Sequence, residues 1–213
     1  MSEHGNLTDE FTSAWWAEGL RGGTWQTTTW FGAPVQKHPF DLMMFQEIVW
    51  ATRPQLIIET GTCRGGSARF YATLLDSIGE GDVLTVDITA QPDLPQHPRI
   101  HYRTGSSVAT TFLDEAEAWA GRVERTMVVL DSDHRAPHVA AELVALSALV
   151  TPGCYLVCED SCVNGHPLAP DFGPGPHEAL DEFLAGDPPF DVDRDRERLW
   201  STFNPQGYLR RRG

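Results

Sequence analysis

Apolar and polar positions change period along the chain. The first forty residues have no clean period and hold Trp15, Trp16, Trp25 and Trp30. They read as a short helix near Phe11–Gly19 followed by an aromatic flap, a segment 1–39 ahead of a main domain 40–213. From Phe40 to Thr52 the apolar residues Leu42, Phe45, Ile48 and Val49 recur at helical spacing, and Pro54 ends the pattern. Leu56-Ile57-Ile58-Glu59-Thr60 is then a compact apolar run, as expected of a strand buried on both faces. A helix over Ser67–Ile78 follows a cluster of glycines, and the alternation repeats: strand 83–87, strand 99–103, helix 108–119, strand 126–131, helix 137–149, strand 154–159. Beyond a loop at 161–176 rich in Gly and Pro come a short helix at 178–184 and a terminal hairpin, Thr202-Phe203 against Tyr208-Leu209-Arg210. Strands alternating with helices predict an α/β fold: a Rossmann-like, doubly wound, mainly parallel sheet with a C-terminal antiparallel hairpin. Ligands of such sheets bind at the carboxyl ends of the strands, where the strand order reverses.

Composition narrows the partners. The 213 residues carry 16 basic and 30 acidic side chains, a formal charge of -14, which disfavours nucleic acid. Lys37 is the sole lysine. No run approaches the ~20 apolar residues that span a bilayer. The polar start Met1–Gly5 lacks a basic-then-apolar leader pattern, so a cytoplasmic location is expected. Cys154, Cys158 and Cys162 sit four apart, but positions 154 and 158 of one strand lie ~13 Å from each other, too far to share an ion. They read as buried reduced thiols.

Chemistry concentrates at the strand ends. The first strand enters Glu59-Thr60-Gly61-Thr62-Cys63-Arg64-Gly65-Gly66-Ser67, where glycines permit a sharp turn and close approach to a ligand. It fits neither the dinucleotide fingerprint nor a P-loop. The second strand ends in Asp87, placed to take ribose hydroxyls. Gly105-Ser106-Ser107 after the third is a turn of small residues that could border an adenine. The fourth gives Asp131-Ser132-Asp133-His134 and the fifth Glu159-Asp160. Converging acids either gather a cation or cap helices. Asp131, Glu159 and Asp160 are the expected ligands, and oxygen donors suit Mg²⁺, Mn²⁺ or Ca²⁺. His134, three residues past Asp131, is the candidate general base.

These stretches resemble the S-adenosylmethionine site of class I methyltransferases and, more narrowly, the cephalosporin hydroxylase-like family. The matching segments are 39–47, 56–67, 130–134, 158–160, 164–167, 173–176 and 202–205, spread over most of the chain. The resemblance implies a metal-dependent O-methyltransferase. Glu59, Gly61, Thr62 and Ser67 would surround the methionine part of S-adenosylmethionine, and Asp87 its ribose. Gly105 and Ser107 would border the adenine, with Asp131 between cofactor and metal. Asp131, Glu159 and Asp160 would hold Mg²⁺. His134 falls where catechol enzymes place a lysine. The acceptor would be a hydroxylated small molecule, a sugar diol or a catechol, in natural-product tailoring; homo-oligomers stay open. Two other readings are weighed. A hydroxylase or hydroxylation helper would need a two-His, one-carboxylate iron set, and none is visible. A non-catalytic S-adenosylmethionine-binding module would need neither the metal acids nor His134.

Overall fold

Each apolar run is short, so it must pair with others to satisfy its backbone. A computed structural model describes residues 3–213, leaving Met1 and Ser2 of the N-terminal segment outside the described residues. Five strands run parallel: β3 (Leu56–Thr60), β4 (Asp82–Asp87), β5 (Ile100–Thr104), β6 (Thr126–Leu130) and β7 (Tyr155–Cys158). The sheet order is β5-β4-β3-β6-β7-β9-β8, with β8 (Phe190–Val192) and β9 (Tyr208–Arg211) antiparallel at the far edge. A small separate hairpin pairs β1 (Thr29–Trp30) with β2 (Ala33–Pro34).

Both faces of the sheet are covered, which is why its central strands β3, β6 and β7 are buried throughout. Leu56, Ile58, Leu84, Val128 and Leu156 pack with α4 (Thr110–Ala120), α5 (Ala136–Leu146) and α6 (Pro176–Ala185). The alternate residues Ile57, Val83, Met127 and Val157 meet α2 (Pro39–Thr52) and α3 (Gly66–Ile78). Helix boundaries follow local chemistry. His38 Nδ1 accepts from the Phe40 N–H ahead of α2, Pro39 opens the helix, and Arg53 closes it in a left-handed conformation before Pro54. Among the described residues, no helix is long and apolar enough to cross a membrane.

The expected alternation matches the observed elements within a few residues, with two differences. The first helix, α1 (Glu3–Leu20), is longer than Phe11–Gly19. In the terminal hairpin β9 stands where expected, but its partner is β8. Thr202 Oγ1 and the Phe203 N–H donate to the Asp41 carboxylate at 2.5 and 2.9 Å, so this backbone is tied to α2 instead of a ladder. All four cysteines are free, and Cys154, Cys158 and Cys162 are buried.

The strand order reverses between β3 and β6, and the two strand ends close on each other there. The Asp131 N–H donates to Thr60 O at 3.1 Å, and a Cβ on Gly61 (φ +87°) would lie 1.8 Å from Asp131 O. Only glycine fits this seam. Gly61→Ala is therefore expected to cost clearly more stability than Gly79→Ala, since Gly79 has a similar φ of +92° but nothing within 4 Å of its Cβ position. Chemical denaturation of both variants checks this; equal losses would contradict it.

Candidate active site

Two cavities meet across this seam. The first, about 430 Å³, lies over the ends of β4 and β5 and is lined by Asp87, Ile88, Gly105 and Ser107. The second, about 380 Å³, is lined by Thr62, Ser67, Trp16, Trp25, His134 and Asp160. Gly61, Cys63, Asp131 and Ser132 line both, so the two cavities share a wall at the seam.

The cofactor candidates divide by depth. Asp87 stands at the rim of the first cavity with Oδ2 accepting from the Cys63 N–H (2.8 Å) and Oδ1 from the Thr89 N–H (2.9 Å). The glycine turn thus fixes the carboxylate in place. Gly105 and Ser107 line the same cavity. Glu59 lines neither cavity. It is fully buried, and its Oε2 accepts from Thr85 Oγ1 at 2.6 Å; Thr85 Oγ1 also pairs with Thr62 Oγ1 at 2.6 Å. Glu59 thus acts on the cavity wall through Thr85 and Thr62, and Ser67 lies close enough to bear on its carboxyl.

Burial pushes the Glu59 carboxyl up to about 7, against the pull of Lys37 and of the Ser67 and Thr85 hydroxyls. A carboxyl raised from 4.5 to about 7 takes up a proton on folding between those values, so it makes the protein less stable as pH rises through that window. Glu59→Gln is expected to remove this slope: the variant gains stability relative to the natural protein as pH rises from about 4.5 to 7. Unfolding measured across that range checks it; a constant difference would contradict it.

The acids of β6 and β7 gather as expected, but not all on one point. Asp131, His134 and Asp160 place ligand atoms within 4.8 Å of one another, the only such group among the described residues. His134 Nε2 lies 3.3 Å from Asp160 Oδ2 and 3.9 Å from Asp131 Oδ1. Glu159, the third expected ligand, stands outside this group. Its Oε1 accepts from Lys37 Nζ at 2.6 Å, and the same ammonium donates to Asp131 Oδ2 at 2.7 Å. Burial alone would discharge Lys37, but the Asp131 and Glu159 carboxylates, with Glu59 behind them, hold its pKa above the ordinary value.

Sequence reasoning missed three contributors. Lys37 was visible only as the lone lysine. His138 lines the first cavity, with Nε2 3.2 Å from Ser107 Oγ and 3.1 Å from Ser132 Oγ; Ser132 Oγ donates on to the buried Glu142 at 2.7 Å. The signal available was the His138 and Glu142 spacing on one helix face. Trp16 lines the second cavity beside Trp25. The other flap aromatics do not. Trp30 sets its ring edge-to-face on Phe70 at 4.9 Å in the helical layer, and Phe31 is exposed. His166 stacks on His177 at 3.7 Å and pairs with Glu178, while Phe172 represents its loop in the cavity.

Comparison with known proteins identifies the family. The family described as Rhamnosyl O-methyltransferase/CmcI matches residues 22–212. A rhamnosyl O-methyltransferase of Mycobacterium leprae is 37% identical over 195 residues, covering 88% of this chain and 85% of that protein. One from Mycobacterium bovis is 37% identical over 193 residues, covering 87% and 78%. An apo-structure of CmcI superposes with a TM-score of 0.66 at 21% identity, covering 88% of this chain and 77% of its own. An O-methyltransferase of Bacillus cereus in complex with SAH gives 0.55 at 17%, covering 87% and 81%. These two show that the sheet and its helices are of the class I methyltransferase type. The family match and the identity over most of both chains establish that this protein belongs to the Rhamnosyl O-methyltransferase/CmcI family.

Proposed function

We propose that the chain transfers a methyl group from S-adenosylmethionine to a hydroxyl of a sugar, with a divalent ion, Mg²⁺ in the first instance, at the rim. The observation that carries this reading is the pair of cavities joined at Asp131. In it the first cavity takes the nucleoside, with Asp87 accepting from the ribose hydroxyls and Gly105 and Ser107 beside the adenine. Gly61, Thr62 and Ser67 take the methionine end, which brings the sulfonium to the seam; Glu59 supports Thr62 and Ser67 from below. The sugar enters the second cavity. The relatives named rhamnosyl O-methyltransferase support a deoxyhexose as that sugar.

The rim fits a hard cation, since Asp131 and Asp160 bring carboxylate oxygens to one place. Asp131 and Asp160 would hold the ion, and Glu159, paired with Lys37 outside that group, would add its charge beside them. An ion held there would supply Lewis acidity that makes the acceptor hydroxyl easier to deprotonate. The remaining work belongs to the chain. His134 Nε2 stands beside Asp131 and Asp160 and accepts the hydroxyl proton. The cavity walls hold oxygen and methyl carbon in line, which supplies the positioning term of the catalysis.

Methyl-labelled S-adenosylmethionine incubated with methyl rhamnoside, with Mg²⁺ or with a chelator, tests the reading. Label on the sugar oxygen that falls away with the chelator is the expected result. Label transfer to no hydroxylated acceptor, with S-adenosylmethionine bound, would overturn it in favour of a binding module.

A further inference from the structure

The second cavity has two unlike walls. One is polar, formed by Asp131, His134 and Asp160. The other is apolar, formed by Trp16, Trp25, Val163 and Phe172. The two indoles stack with centroids 5.2 Å apart and planes 27° apart, and the Phe203 ring meets Trp16 edge-on at 4.9 Å and Trp25 at 6.3 Å. Trp25 Nε1 donates to Trp16 O at 3.2 Å, so its polar edge is satisfied internally. The site is also built to receive Trp25: a Cβ at Gly19 would lie 1.8 Å from Trp25 Nε1, so only glycine leaves room for the ring. Neither tryptophan belongs to the two main cores. Both pack on a small separate cluster of Cys162, Val163, Leu168 and Phe203. They are half-buried, and both line the cavity.

A sugar ring suits such a chamber. It has an apolar face of C–H groups and a polar rim of hydroxyls, and a deoxyhexose extends the apolar side with a methyl group. The electron-rich face of an indole attracts polarised C–H groups. We infer that the Trp16–Trp25 wall is the sugar-selecting element of the acceptor site. It takes the apolar face of a deoxyhexose and so turns the ring's vicinal hydroxyls toward Asp131, His134 and Asp160. This rests on the sugar methyltransferase reading above, and it makes the N-terminal segment a part of specificity.

The test uses the full chain with Mg²⁺ and S-adenosylhomocysteine, and methyl α-rhamnoside as probe. Saturation-transfer NMR is expected to be strongest at the ring C–H and methyl protons of the probe. Trp16→Leu and Trp25→Leu are each expected to weaken probe binding about 2–10-fold, the range that one aromatic contact supplies. In turnover the loss falls on KM more than on kcat, and S-adenosylhomocysteine affinity stays unchanged. Trp25→Phe, which keeps a ring face, retains more binding than Trp25→Leu and serves as the check that the wall still folds. A natural-protein preference for methyl rhamnoside over methyl mannoside is expected to shrink in the Leu variants. Unchanged KM for the rhamnoside in both Leu variants, with methyl transfer intact, would overturn this inference alone. A natural protein that methylates catechol and no sugar would overturn the sugar reading with it.

Discussion

Replacing His134 by Gln is expected to lower turnover about 10²–10⁴-fold, the range that a positioned general base contributes. The reason is geometric. His134 Nε2 stands 3.3 Å from Asp160 and 3.9 Å from Asp131 in the second cavity, on the polar side of the acceptor chamber. The side chain is half-exposed and carries no other ion pair among the described residues, so its loss leaves the sheet and both cores intact. S-adenosylmethionine affinity is expected to hold, because His134 is not among the residues placed around the cofactor and lies on the acceptor side of the second cavity. Measuring turnover and cofactor affinity separately distinguishes a base from a spacer. A fall in cofactor affinity equal to the fall in turnover would contradict the assignment.

The second large effect is on stability. Lys37→Met is expected to cost about 3–5 kcal/mol, the range for removing one partner of a buried ion pair. The Lys37 side chain is only 3% exposed and spans Asp131 and Glu159 at 2.7 and 2.6 Å. Without the ammonium, Glu159 is left as a buried carboxyl beside Asp131 and Asp160, and like charges there raise one another's cost. Excess Mg²⁺ is expected to recover part of the loss by mass action, because the freed Asp131 carboxylate is a proposed metal ligand. Chemical denaturation with and without Mg²⁺ measures both terms. A loss below about 1 kcal/mol, the level of an exposed pair, would contradict the role given to Lys37.

What could be read from the chain followed from how local each signal is. A strand buried on both faces announces itself in five apolar residues, as Leu56–Thr60 does, and the acid that ends it travels with it. The parallel sheet therefore brought Asp87, Asp131 and Asp160 to the ends of β4, β6 and β7 as expected. The partner of the rim could not be read. Lys37 lies 94 residues from Asp131 and 122 from Glu159, in a segment without periodicity, and only the path of the chain between β2 and α2 delivers it. The same limit applies to His138, which reaches Ser107 across 31 residues. Thr202-Phe203 has the composition of a strand, yet buried Asp41 takes its donors, and a side chain on another helix is invisible to a local pattern. Among the flap aromatics, packing of α1 on Phe203 decided that Trp16 and Trp25 face the chamber while Trp30 joins the core.

The central claim is that cofactor and sugar meet at one metal-bearing seam beside Asp131. Mn²⁺ in place of Mg²⁺ gives the direct measurement, because its unpaired electrons speed the relaxation of nearby protons with a steep distance dependence. With S-adenosylhomocysteine and methyl rhamnoside bound together, the protons flanking the cofactor sulfur and those on the sugar's vicinal hydroxyl carbons are both expected to relax faster. The adenine protons, at the far end of the first cavity, are expected to relax least. Enhanced relaxation of the adenine protons instead, or of neither ligand while both are bound, would place the metal away from the seam and contradict the account.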